Sequence, residues 1–237
     1  MPWGVLTFEP HPRAYFNKGA PPFRLTPFHL KARYIQEMGV DFLVVLKFDY
    51  NLASMSAEDF VGTILVDGFR VKLVVSGGDF VFGNQRRGTM AYLRTKGKQH
   101  DFQSVSVPQV IDGAGQIISS TRVREFLVSA KPLEAARLLG RGFEIEGRVI
   151  TGDQRGRAIG FPTANLETNR DMAIPGNGIY ATRISVGNEN HLSATSIGTN
   201  PTFHENIHSI LSRLESRIIW VRGLSGFLSY SGQIHTV

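Results

Sequence analysis

Cysteine is absent from the 237 residues, which excludes a disulfide framework, a thiolate nucleophile and any Cys/His metal cluster. The seven histidines add little. Only His204 and His208 stand four apart, without the glutamate that a zinc-hydrolase motif requires and without a third ligand. No run of eighteen apolar residues occurs, and the opening Met1-Pro2-Trp3-Gly4 has neither the basic region nor the apolar core of a secretion signal. A cytoplasmic chain with no membrane partner is expected. Internal repeats, low-complexity tracts and a long basic arm are also missing. The formal charge of +6 is instead dispersed over short groups: Arg86-Arg87, Arg94 with Lys96 and Lys98, Arg122 with Arg124, and Arg155 with Arg157. A solvated face accounts for most of these, so no nucleic-acid partner is expected. Arg122 and Arg124 stand apart because they follow a Ser-Ser-Thr run at a helix entrance.

What is present suffices for one large core or two modest ones, since 42% of the residues are hydrophobic. From Val5 to Val107 short apolar runs alternate with helical patterns. Val5 to Phe8 reads as a strand. Thr26-Pro27 caps and opens a helix through Met38 that Gly39 can end. Val40 to Leu46 reads as a strand covered on both faces, Ser56 with Asp59 approximates a capping box, and Val71 to Val75 reads as another strand. Strands alternating with helices predict an open parallel sheet. Ser120 is a candidate cap for a helix carrying Val123, Phe126 and Leu127. Lys131-Pro132 opens a further helix that Gly140 stops. Beyond Gly142 the pattern changes to alternating apolar residues separated by Gly-, Asn- and Pro-rich turns, as in a small antiparallel barrel. The boundary is placed near residues 140 to 142.

The segment Gly156-Arg157-Ala158-Ile159-Gly160-Phe161-Pro162-Thr163-Ala164-Asn165-Leu166 carries the most chemical information. Glycines let backbone N–H groups approach an anion, and Thr163 and Asn165 can offer oxygens to Mg2+ or to a phosphate's water shell. It lacks a Walker lysine, and a plain turn followed by a packed Phe-Pro corner accounts for the same residues. His11 between two prolines reads as a structural corner or as an acid–base group. Asp79 reads as a turn cap or as a site carboxylate. Phe80 and Phe82 read as core at strand spacing or as platforms for a planar ring.

Gly156 to Leu166 resembles the signature of riboflavin kinase domains. Three upstream segments resemble the adenylyltransferase domain of the bacterial bifunctional riboflavin kinase/FAD synthetase family: Thr7 to Pro12, Gly78 to Gly83 and Ile118 to Arg124. Ile197 to Phe203 resembles the next kinase signature. The resemblance implies an α/β plus β chain, with a Rossmann-like nucleotidyltransferase domain over residues 1–140. A small antiparallel riboflavin kinase β-barrel follows over 141–205, then a divergent tail over 206–237. It implies ATP-dependent phosphorylation of riboflavin to FMN and adenylylation of FMN to FAD, with Mg2+ as the metal. The small-molecule partners are nucleotides and flavins. His11, Asp79, Phe80, Ser119, Ser120, Thr121, Arg122 and Arg124 would form the adenylyltransferase ATP and flavin region. Gly156, Arg157, Gly160, Thr163 and Asn165 would bind the kinase ATP, with Thr163 and Asn165 at the metal. No catalytic residue is assigned.

Two departures from the family bear on activity. Adenylyltransferases of this kind begin with a strand and a glycine-rich loop carrying a His-x-Gly-His element, and this sequence opens after it. Both domains are accordingly expected to be incomplete, with strands that lack ladder partners and are open to self-association. Glu205 and Glu215 do not stand in the context of the kinase glutamate, and they take no role. A noncatalytic nucleotide or flavin binder is the alternative function.

Overall fold

The structure, a computed structural model, describes residues 1–150, 163–187, 189–199, 208–214, 227–230 and 235–236. Two compact units emerge: one formed by Met1–Ala20 with Ile35–Ile118, the other by Pro21–Tyr34 with Ser119–Val237.

In the first unit β1 (Gly4–Glu9) leads through Pro10 into α1 (Pro12–Phe16). Helix α2 (Phe28–Glu37) begins in the second unit and ends in the first, directly after Thr26-Pro27 and before Gly39, whose φ of 72° suits a helix stop. β2 (Phe42–Lys47) pairs in parallel with β1, Gly4 opposite Phe42 and Glu9 opposite Lys47. Then come α3 (Tyr50–Ser54) and α4 (Ala57–Asp59), which runs on as a π-type helix over Phe60–Gly68. Ser56 caps α4 as expected, its Oγ accepting the Asp59 N–H at 3.0 Å and donating to the Asp59 carboxylate at 2.7 Å. β3 (Leu73–Gly77) is followed by the short antiparallel pair β4 (Val81–Phe82) and β5 (Gly88–Thr89), by α5 (Met90–His100), and by β6 (Gln103–Val107), parallel to β3. Phe60, Val61, Leu65, Phe82, Leu93 and Phe102 form the buried core, with Leu6, Phe8, Leu46 and Val74 packed on it from the strands.

The expected single parallel sheet is not formed. The strands are parallel, but they make two separate two-stranded sheets, β1–β2 and β3–β6, because no strand of this unit ladders with both β1 and β3. One face of each strand points to the core and the other is left open. Val45, Leu73, Val75, Val105 and Val107 are each at least 40% exposed as a result.

The second unit opens with α6 (Ser120–Val128) and α7 (Pro132–Leu139), the latter ended by Gly140 at φ 69°. Among the described residues seven antiparallel strands follow: β7 (Ile145–Ile150), β8 (Thr163–Thr168), β9 (Gly178–Val186), β10 (Glu189–Thr199), β11 (His208–Leu214), β12 (Phe227–Tyr230) and β13 (His235–Thr236). Their pairing runs β10–β11–β8–β7–β12–β9 and returns to β10, with β13 added on β9. Strands β11 to β13 come from the segment after residue 206. Val123, Leu127, Phe143, Ile145, Met172 and Tyr180 lead the core. Ser119, and not Ser120, is the N-cap of α6, since its Oγ accepts the Arg122 N–H at 3.3 Å and Ser120 is already helical.

Residues 21–34 cluster with this unit although they lie between β1 and β2 in the chain. The N–H groups of Phe23 and Arg24 donate to the Asp171 carbonyl, Ala173 N–H donates to the Arg24 carbonyl, and Leu30 is 1% exposed.

Candidate functional site

In the first unit two of the motif loops follow the carboxyl ends of parallel strands, the usual place for ligands in α/β folds. After β1, His11 caps α1, and its Nδ1 accepts the Arg13 N–H at 3.1 Å. The ring thus holds the chain corner whatever else it does. After β3, the Phe80 N–H donates to the Gly77 carbonyl at 3.1 Å and leaves Asp79 exposed at the turn. Phe82 is core, 7% exposed and 5.3 Å from the Phe60 ring. Phe80 stacks on Phe82 with centroids 5.5 Å apart, and its exposure is intermediate.

The β4–β5 turn is pinned by Gly83, whose φ is 70° and whose added Cβ would meet the Ala57 nitrogen at 2.6 Å. Beyond it Gln85 and Arg86 both hold positive φ, at 55° and 58°, conformations uncommon for residues with side chains. Arg86 and Arg87 are exposed there, and Arg87 Nη2 donates to Gln85 Oε1 at 2.9 Å. Composition singled out this arginine pair but gave no sign of the backbone that displays it.

In the second unit Ser119, Ser120 and Thr121 form the amino end of α6, where unpaired backbone N–H groups and the helix dipole favour an anion. Arg122 is half-buried in the first turn. Arg124 is partly committed to structure: its Nε donates to the Phe23 carbonyl at 2.6 Å, and its guanidinium lies 5.9 Å from the Phe23 ring centroid.

Of the kinase residues, Gly156, Arg157 and Gly160 lie outside the described residues. Thr163 is the first residue of β8, opposite Arg213 of β11. Asn165 pairs with Ile150 of β7 and Leu211 of β11, and its half-buried side chain lies on the strand face opposite the buried Leu166. Of the second kinase signature, Ile197 is core and Thr199 ends β10, while Asn200 to Phe203 lie outside the described residues.

A network that sequence reasoning missed ties residues 21–34 to Glu144, which directly precedes β7. Glu144, 4% exposed, takes two hydrogen bonds from Arg33 Nη2, at 2.7 and 2.6 Å, and one from the Tyr34 hydroxyl. The Arg141 guanidinium covers the Tyr34 ring at 3.8 Å. Burial and then the Glu144 hydrogen bond push the Tyr34 hydroxyl up to about 12. Burial opposes charge on Arg33, and the hydrogen bond and charge of Glu144 outweigh it, so its pKa is raised. Glu146, two residues further along the chain in β7, is raised mainly by burial, with Glu144 adding and Arg33 and His29 opposing. The one hint in sequence is a glutamate between Phe143 and Ile145.

Residues 1–122, more than half of the chain, match the family model for FAD synthetase. The chain belongs to the FAD synthetase family. Residues 139–224 match the model for riboflavin kinase, so the second family match follows the first and extends past residue 206. Among curated relatives, the bifunctional riboflavin kinase/FMN adenylyltransferase of Escherichia coli (strain K12) is 39% identical over 203 residues, 85% of this chain and 64% of that protein. The protein of the same description from Buchnera aphidicola subsp. Schizaphis graminum is 36% identical over 200 residues, 84% of this chain and 64% of that one. This FAD synthetase family member therefore spans somewhat less than two thirds of the relatives it matches. A solved structure described as a macrolide-efflux protein from Streptococcus pneumoniae covers the whole chain with a TM-score of 0.82 at 26% identity, over 77% of that protein. Among the described residues no helix is long and apolar enough to cross a membrane.

Proposed function

We propose that this chain serves flavin-cofactor synthesis, with FMN adenylyltransferase chemistry on its first part and riboflavin kinase chemistry on its second. The observation that carries this reading is the succession of the two family matches along one chain, FAD synthetase then riboflavin kinase. The division is read functionally as residues 1–140, 141–205 and 206–237. The substrates are ATP, riboflavin and FMN, and the products FMN and FAD, in a cytoplasmic setting.

The first part is read as a Rossmann-like nucleotidyltransferase, supported by its parallel strand pairs with motif loops at their carboxyl ends. The second is read as a small antiparallel riboflavin kinase barrel, supported by the pairing cycle of its strands. In the adenylyl transfer, the N–H groups at Ser119 to Thr121 and the Arg122 guanidinium would hold phosphate oxygens as charge builds at the α-phosphate. His11, Asp79 and Phe80 would line the nucleotide and flavin region, and Arg124 would brace α6 through Phe23.

For the kinase step, Gly156, Arg157 and Gly160 would cradle ATP. The donor set at Thr163 and Asn165, a hydroxyl and an amide oxygen, fits Mg2+, a hard cation that keeps waters and phosphate oxygens as its other ligands. Bound there, the ion would neutralise charge on the transferring phosphate. Asn165 would orient the phosphate tail from a strand with partners on both sides. No specific observation favours the binding-only alternative.

The test is chromatographic product analysis on folded full chain, with riboflavin or FMN offered separately with Mg-ATP. FMN from the first reaction and FAD from the second support both assignments. A folded chain yielding neither overturns the catalytic reading.

A further inference from the structure

A cavity of about 650 Å³ opens in the first unit between α5 and the start of β6. Lys72, Arg94, Lys98, Gln103, Ser104 and Val105 are among the residues lining it. Its place is opposite to the motif loops. Lys72 directly precedes β3 and Gln103 is the first residue of β6, whereas Gly78 and Asp79 follow the far end of β3. Five residues of strand separate the two ends by roughly 16 Å.

The charges in this cavity are not explained by the fold. Lys72 is paired with Asp101 at 2.9 Å, and that pair depresses the exposed Asp101 carboxyl. Arg94 and Lys98 stand four apart on one face of α5, a like-charge arrangement that destabilises a helix. Both are exposed, and neither has a hydrogen-bond or ion-pair partner among the described residues. Complementing the helix dipole explains a cation in the last turn, such as Lys98, but not Arg94 more than a turn earlier. The helix end is moreover closed by the N–H groups of Asp101 and Phe102, both donating to the Gly97 carbonyl. Val105, 46% exposed, supplies an apolar wall beside the charges.

We propose that this cavity is a second anion site, distinct from the strand-end loops, that takes a phosphorylated small molecule of nucleotide size. The phosphate lies between Arg94 and Lys98, Gln103 meets polar groups of the ligand, and Val105 receives its uncharged part. Cations flanking a concave surface of this volume suit such a ligand.

Calorimetric titration of the full chain at low salt, with inorganic pyrophosphate and AMP as probes, tests the site. The R94Q/K98Q double variant should bind about tenfold or more weakly at one class of site, whereas Arg122→Gln should leave that class intact. Titrations of R94Q/K98Q identical to those of the parent chain would overturn the proposal. So would binding of duplex DNA in the absence of any pyrophosphate or AMP signal, which would assign the two cations to a nucleic-acid surface.

Discussion

Glu144 is a tightly held charge of the second unit, a carboxylate 4% exposed that accepts hydrogen bonds from Arg33 and Tyr34, more than 100 positions away in the chain. Removing Arg33 leaves that carboxylate buried and short of donors, a change that typically costs about 3 kcal/mol. Arg33 is itself 36% exposed, so some water will enter and soften the loss. Arg33→Ala should therefore lower urea stability by about 2–3 kcal/mol, and Arg33→Ala with Glu144→Leu should cost less than the two single changes summed. Additive effects would mean that the pair is not coupled.

Glu146 behaves oppositely. Burial, then the Glu144 charge, raise its carboxyl above the usual range against the pull of Arg33 and His29. The folded chain then holds that proton more tightly than the unfolded one, so stability falls as pH rises from the usual carboxylate range through the raised value. Glu146→Gln should be slightly more stable than the parent chain at pH 7, with the difference vanishing below about pH 4. The check is a pair of melting curves at the two pH values. Neither residue could be assigned a role from sequence, because a glutamate between apolar neighbours does not reveal which arginine will reach it.

At the scale of elements, what was legible was local. Ser56 with Asp59, Thr26-Pro27, and Lys131-Pro132 closed by Gly140 each encode a helix end within a few residues, and each lies at a helix end in the structure. Ser119 and Ser120 illustrate the limit, since two adjacent candidate caps differ only in which hydroxyl reaches an N–H three residues on. The β4–β5 turn was illegible for another reason. Its need for glycine comes from Ala57 across the unit, 2.6 Å from where a Cβ at Gly83 would stand. Gly83→Ala combines that clash with a positive φ and should destabilise by about 2–4 kcal/mol in urea unfolding. Gly113→Ala, with open space around the added carbon, should cost much less. Equal losses at both positions would show that the contact to Ala57 does not govern the turn.

For the whole molecule, motif order was enough to anticipate the family and its two successive parts, because those signatures are contiguous in sequence. The allegiance of residues 21–34 was not, since it depends on pairing with residues 171–173 and on Arg33 meeting Glu144. Strand alternation correctly implied parallel pairing but could not say whether the pairs would join, and they do not. The consequence lies on the outer face of β3–β6, where Leu73, Val75, Val105 and Val107 present exposed apolar side chains beside unpaired strand edges. Such a face favours association between chains. Sedimentation velocity should show a weight-average coefficient that climbs with protein concentration. Val75→Lys with Val107→Glu places opposite charges on that face two positions apart across the register and should flatten the climb without lowering the melting temperature appreciably, because neither side chain faces the core. A parent chain that stays monomeric across the same concentrations would show that these apolar side chains, though exposed, are too dispersed to hold a second copy.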